Sequence, residues 1–242
     1  MWPFLTFCVW VAVLGVWGWR LAQNRAVVPC ELADGDRLLP MPLAGEVDHR
    51  MDWFSPWQSV RIPRALRFDP PLGSEHGALV YNAQKFWEMN EKRGGYHEGD
   101  DLNGIGGMDT DLGDPVFATG DGLVLYVAQP SPGWGNVAVI AHRAADGRTL
   151  HSMYAHMDRI DVKAGALVAR GGRIGTVGTA NGHYPAHLHF EMRASDGVDI
   201  GGGYAMDAGN RLDPAAMVAA LRNAAPEDLA HSPLGVAISK SP

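Results

Sequence analysis

Residues 186–193 read Ala-His-Leu-His-Phe-Glu-Met-Arg, and their apolar and polar side chains alternate. Alternation is the two-residue period of a β-strand, so His187 and His189 face one way while Leu188 and Phe190 face the other. One face is then free for chemistry and the opposite face packs on an apolar layer, which commits this part of the chain to a sheet. A strand interior is rigid, and rigid elements suit ligands that must hold position within fractions of an ångström.

The rest of the chain limits what those imidazoles can hold. Its 242 residues, 46% hydrophobic and 19% charged, can bury a substantial core. A formal charge of -7 without any Lys/Arg block argues against nucleic acid as a partner. The two cysteines, Cys8 and Cys30, can build neither a disulfide framework nor a thiolate cluster, so a metal would have to use His and carboxylate.

Residues Trp2 to Trp19 carry no charge, and a run of about 18 apolar residues reaches the length of a spanning helix. Residues 1–22 are therefore expected to be a membrane-directed leader, either signal or anchor. Arg20 and Arg25 follow the apolar run, so a positive-inside count taken literally would keep the remainder on the cytoplasmic side. Residues 23–75 form a Pro-rich linker whose Trp53, Phe54, Trp57 and Phe68 are expected to dock in part and could cover a cleft. Residues 76–224 form the main domain and 225–242 a polar tail. Within the domain, Ala83, Phe86, Trp87 and Asn90 at three-to-four spacing predict a helix over Gly77 to Lys92, ending before Gly94-Gly95.

His97 and Asp101 then stand four apart around Gly99, a spacing that can converge two side chains on one point. Catalytic zinc sites take three ligands from His and Asp/Glu and leave a fourth position open. His97, Asp101 and one strand histidine would make such a set. Asp109, Asp111 and Asp114 lack the Gly and Glu of an EF-hand loop and read as a solvated loop.

Downstream the pattern is β. Pro115 to Thr119 and Leu123 to Ala128 flank Gly120-Asp121-Gly122 as a hairpin, and Asn136 to His142 and Leu150 to His156 flank Asp146-Gly147 as two further strands. Alternation puts Tyr154 and His156 on one face with Ser152. Gly165 to Val177 reads as another hairpin, and His183 as a loop residue at the cleft rim. Asp213-Pro214 is a strong helix start, with Met217, Val218 and Leu221 as the packed stripe. The fold class is mainly β, with a short C-terminal helix.

The ordered set His97-x-Gly99-x-Asp101, Tyr154-Ala155-His156 and His187-Leu188-His189-Phe190-Glu191 resembles the lysostaphin-type (LytM-like) zinc metalloendopeptidases. The likeness spans about Tyr96 to Arg193 and includes the stretch from Gly113 to Val124, the turn from Gly171 and Leu212-Asp213-Pro214. It implies a small antiparallel β-sheet domain with a groove over the metal, with His97, Asp101 and His189 as zinc ligands. His156 and His187 would flank the reacting water as acid and base, in an order the residues leave open. The activity implied is hydrolysis of peptide crosslinks of bacterial peptidoglycan, in the periplasm or outside the cell, tethered to the membrane if the leader is retained. Two alternatives stay open: a non-catalytic wall-binding or regulatory module on the same fold, and a zinc carboxypeptidase. The stretch Asn103 to Leu112 is longer than in a minimal member of the family.

Overall fold

The computed structural model describes residues 38–39, 52–74 and 76–222. The apolar leader and the tail expected from the sequence lie outside these residues. Among the described residues no helix is long and apolar enough to cross a membrane.

The first part of the chain carries β1 (Leu38–Leu39), β2 (Asp52–Trp53), α1 (Pro56–Arg61), β3 (Val80–Gln84), β4 (Met89–Asn90), β5 (Gly95–His97) and β6 (Asp100–Gly104). Then follow β7 (Pro115–Phe117), β8 (Gly122–Ala128), β9 (Asn136–Arg143), β10 (Thr149–Met157), β11 (Arg159–Ile160), β12 (Leu167–Val168) and β13 (Arg173–Thr176). The last elements are β14 (Leu188–Ala194), β15 (Gly197–Val198), β16 (Tyr204–Ala205), β17 (Arg211–Leu212) and α2 (Pro214–Arg222).

An eight-stranded sheet in the order β12-β8-β9-β10-β14-β6-β3, with β17 also paired to β14, forms the frame. Its neighbours pair antiparallel throughout. Smaller sheets β1-β16-β5-β4 and β11-β13-β7 and the pair β15-β2 complete the β structure.

Every residue of β10 is buried, because apolar layers cover both faces of the sheet centre. Leu150 and Tyr154 point into one layer with Phe68, Val116, Ile174, Leu188, Phe190 and Val218 of α2. Met153 and Ala155 point into the other with Trp134, Val198, Ile200 and Tyr204. Leu188 and Phe190 thus occupy the packing face that the alternation assigns them. Helix α2 starts as the Asp-Pro signal requires, with Asp213 Oδ1 accepting the Ala216 N–H at 2.8 Å. Of the aromatic residues before the domain, Phe68 is fully buried while Trp57 is 71% exposed.

Four local expectations are corrected. The helix expected over 77–92 is instead β3, a turn and β4. Leu79 and Trp87 adopt positive φ (61° and 60°), which a right-handed helix cannot contain. β3 gains its hydrogen bonds from the edge of β6, and Trp87 stacks on Tyr96 with ring centroids 4.8 Å apart. The 115–128 hairpin does not form either: β7 pairs with β13, whereas β8 pairs with β9 and β12. Gly120-Asp121-Gly122 carries the chain from one sheet to the other, and Gly122 lies so tightly on β9 that an added Cβ would sit 2.3 Å from Ile140 Cγ2. For the same reason β12 and β13, expected as partners, belong to different sheets. The aspartates of the 109–114 loop are not simply solvated. Asp111 is buried and accepts the Gly104 N–H, and Asp109 accepts the Ala186 N–H at 2.8 Å, which ties the loop to the start of β14.

Candidate metal centre

The site forms where the large sheet meets the small sheet containing β5. Asp101 of β6 and His189 of β14 are direct cross-strand partners. His97 ends β5, which pairs with β4 on one side and, through His97 and Tyr204, with β16 on the other. The three residues between His97 and Asp101 carry the chain from one sheet to the other, so the four-residue spacing becomes a convergence of two sheets.

Three donor atoms face one another at this junction. His97 Nε2 lies 3.1 Å from His189 Nδ1 and 3.3 Å from Asp101 Oδ1, and His189 Nδ1 lies 3.0 Å from Asp101 Oδ1. Ligands at 2.0–2.1 Å from a tetrahedral zinc would stand about 3.3 Å apart, so this donor set fits the ion in both chemistry and spacing. Among the described residues, His97, Asp101 and His189 are the one group of His, Cys, Asp or Glu that converges in this way.

Charge supports the same reading. Burial would lower the His189 pKa, but hydrogen bonds to Asp101 and Glu191 outweigh it and push it up to about 9. Burial would raise Asp101, but the neighbouring His97 and the hydrogen bond from His189 hold it well below the usual carboxylate range. The centre therefore attracts a positive charge, a proton or a metal ion. His189 Nε2 donates to Glu191 Oε1 at 3.0 Å, and this fixes the tautomer that turns Nδ1 toward the centre.

Glu191 is itself held by Arg193, whose Nε donates to Oε2 at 2.8 Å. Arg211 lies on the far side, 2.9 Å from Glu98 and 2.8 Å from Asp199. Burial alone would raise the Glu191 pKa, but Arg193 and His189 bring it down to about 2, so it stays ionised. Sequence reasoning missed this support, although the signal was present: the period that pairs His187 with His189 also puts Glu191 and Arg193 on their face.

His187 and His156 stand beside the triad. His187 Nδ1 donates to the Pro185 carbonyl at 2.8 Å and His156 Nδ1 donates to the Trp134 carbonyl at 3.1 Å. A carbonyl can only accept, so each ring is left with Nε2 as its acceptor nitrogen. The two rings meet edge to face with centroids 4.8 Å apart, and His187 Nε2 is 3.7 Å from Asp101 Oδ1. Burial, then the neighbouring His187 and His189, hold the His156 pKa well below its ordinary value, which keeps that ring neutral.

His156 arrives there by a route that simple alternation misses. Tyr154 points into the core layer with Phe190, and an unbroken strand would send His156 the same way. The register between β10 and β9 shifts between Tyr154 and Met157, and His156 adopts φ 62°. This bulge turns the ring to the opposite face, onto Trp134 and the triad. The expected shared face of Ser152, Tyr154 and His156 is therefore corrected, while His156 still reaches the cleft. His183 is exposed on the 179–185 loop; its neighbour Tyr184 lines the cleft instead. Gln84, Asn90, Arg93 and Tyr204 complete the lining, none of which the sequence had singled out as a site residue.

The family model "Peptidase family M23" matches residues 97–207. Peptidoglycan DD-endopeptidase ShyB of Vibrio cholerae is 41% identical over 83 residues, 34% of this chain and 18% of that protein. Lipoprotein NlpD of Yersinia enterocolitica is 36% identical over 81 residues, 34% of this chain and 78% of that protein. Murein hydrolase activator NlpD of Escherichia coli is 36% identical over 81 residues, 34% of this chain and 20% of that protein. The chain thus spans a fifth or less of the first and third of these relatives but most of the second, and the segment matched by the family model contains every residue of the triad and both flanking histidines. The chain belongs to peptidase family M23.

Proposed function

We propose that this protein is a zinc-dependent endopeptidase that hydrolyses peptide crosslinks of bacterial peptidoglycan, with His97, Asp101 and His189 holding the metal. The observation that carries the reading is the complete constellation: three donor atoms 3.0–3.3 Å apart, flanked by two imidazoles whose Nδ1 atoms are tied to backbone carbonyls. Zinc bound there would polarise the scissile carbonyl and bring the pKa of water down to about 7.

The chain's own residues do the rest. A neutral imidazole with a free Nε2 can take a proton from the attacking water at that atom, and this same proton can then pass to the leaving amine by way of the Nε2 of a second imidazole. His156 and His187 are those two groups. Glu191 keeps His189 in one tautomer and one orientation, which removes a reorganisation cost from ligation. The cleft has a volume of about 200 Å³, and of the described residues none before Gln84 lines it. We assign the protein to the cell envelope, outside the cytoplasm, with residues 1–22 as signal or anchor.

A second reading is a non-catalytic regulator, favoured by the relative named murein hydrolase activator. The retained donor set and flanking histidines weigh against it. The test is to incubate full-length chain, in mild detergent, with purified cell wall, with and without a chelator, beside His189→Ala. Zinc-dependent release of muropeptides with new amino groups is expected; a wall left intact by the zinc-loaded protein would exclude the enzyme. Product masses separate internal cleavage from removal of a terminal residue.

A further inference from the structure

Arg93 lies on the turn between β4 and β5, fixed by its N–H bonding the Asn90 carbonyl at 3.0 Å. Its guanidinium carbon stands 5.3 Å from the ring centre of Tyr204 and 5.9 Å from that of Tyr184. Each of those rings touches the candidate centre: Tyr204 is 5.2 Å from His97 and Tyr184 is 5.0 Å from His156, centre to centre. Two aromatic faces thus hold a planar cation at the edge of the cleft, an arrangement that suits arginine and not lysine.

Arg93 Nη1 and the Tyr184 hydroxyl are both buried, and neither has a hydrogen-bond partner among the described residues. No described carboxylate lies within ion-pair distance of Arg93, although most of the buried guanidinium groups near the centre are paired. An unpaired buried donor on a charged group costs more than an ordinary lost hydrogen bond, so it is retained where something else satisfies it. Arg93 is also the one permanent cation among the described residues that line the cleft.

We propose that Arg93, held between Tyr184 and Tyr204 and joined by the Tyr184 hydroxyl, binds a carboxylate of the peptide substrate. The inference rests on the peptidase reading and names the substrate chemistry that the cleft selects. Because both supporting rings touch the candidate centre and an extended peptide advances about 3.4 Å per residue, the carboxylate belongs within about three residues of the scissile amide. It is either the C-terminal carboxylate of the stem peptide or a side-chain carboxylate within it. A guanidinium fork matches both, and amidation abolishes both.

The experiment uses the zinc-loaded full-length chain and three versions of one wall-derived stem peptide: both carboxylates free, the C-terminal one amidated, and the side-chain one amidated. Binding is measured by calorimetry, and KM and kcat on the matching crosslinked dimers. One of the two amidations should weaken binding about tenfold and raise KM with a smaller effect on kcat, which identifies the source of the carboxylate. Arg93→Met should bind all three peptides alike, and Arg93→Lys should recover only part of the preference. Equal binding of all three peptides by the unmodified protein would overturn the proposal without recourse to any variant, as would discrimination undiminished in Arg93→Met. Discrimination in binding with no dimer cleaved would remove the peptidase reading and leave the carboxylate site standing.

Discussion

Gly99 shows how closely the candidate centre depends on single atoms. It does not adopt a positive φ; its need for hydrogen in place of a side chain comes from the strand beneath it. An added Cβ would lie 2.6 Å from the Phe190 carbonyl oxygen, 2.7 Å from Glu191 Cγ and 3.0 Å from His189 Nε2. The backbone oxygen cannot give way, so Gly99→Ala should push the 97–101 connection off β14 and separate His97 from His189. Zinc affinity of the variant, measured by competition with a chromophoric chelator, should fall at least tenfold; an unchanged affinity would show that the two sheets are not held in register here. Glu191→Gln tests the other side of His189. It keeps the volume and removes the charge that orients the ring, and loss of such a supporting carboxylate costs about 10- to 100-fold in metal affinity. It also leaves Arg193 without its carboxylate in a fully buried position, so urea unfolding should report a loss of about 3 kcal/mol or more. Preserved affinity together with lost stability would limit Glu191 to a structural role.

Strand β10 is the element whose irregularity builds the site. A histidine at φ 62° is strained, because its Cβ crowds the following carbonyl, and only a bulge held by its neighbours keeps it there. Gly135 makes room for this bulge: its own φ is 62°, and an added Cβ would lie 2.8 Å from Ala180 Cα and 3.5 Å from His156 Cα. The strain gives a diagnostic pair of variants. At an ordinary strand position glycine is less stable than alanine; at residue 156 the order should reverse, with His156→Gly more stable than His156→Ala by about 1 kcal/mol. Thermal unfolding of the two variants decides it, and the usual order would mean that the backbone relaxes once the imidazole is gone. Both should have lost at least a hundredfold in kcat on crosslinked wall peptides, as expected for removal of a general acid or base. This is also the place where the sequence was hardest to read. The alternation of β14 is unbroken, so the opposite faces of Leu188 and His189 could be assigned directly. The bulge in β10 has no local signature, since Tyr154-Ala155-His156 looks like any short strand end, and only the resemblance tied His156 to the candidate metal ligands. The failed hairpins around residues 120 and 170 have the same origin: turn chemistry at Asp121-Gly122 was recognised, but whether the chain returns to the same sheet depends on long-range pairing.

At the scale of the whole molecule, the sheet is buried on both faces, and this puts two histidines in the core that no one strand pattern marks as interior. His142 donates from Nδ1 to the Asp121 carbonyl at 2.8 Å and faces the Ser152 hydroxyl through Nε2 at 2.7 Å, with Phe68 packed edge-on against the ring. His151 lies in the same strand pairing, against Phe54. Burial lowers the pKa of His142 to about 4, and burial with the nearby charge of Arg193 lowers that of His151 to about 3. In the unfolded chain both titrate near 6.5. Below that value the unfolded state binds protons that the folded state refuses, so stability declines as the pH falls from 6.5, and the decline levels off only near pH 4 for His142 and pH 3 for His151. The shift at His142 corresponds to at most about 3 kcal/mol. Urea unfolding of the metal-free full-length chain should therefore give a free energy that drops steadily between pH 6.5 and 4.5, and the same series on His142→Gln should be flatter, even if that variant starts less stable. Metal ligation is absent from both series, so the difference in slope belongs to His142; parallel slopes would mean that the ring is protonated in the folded core or reached by water.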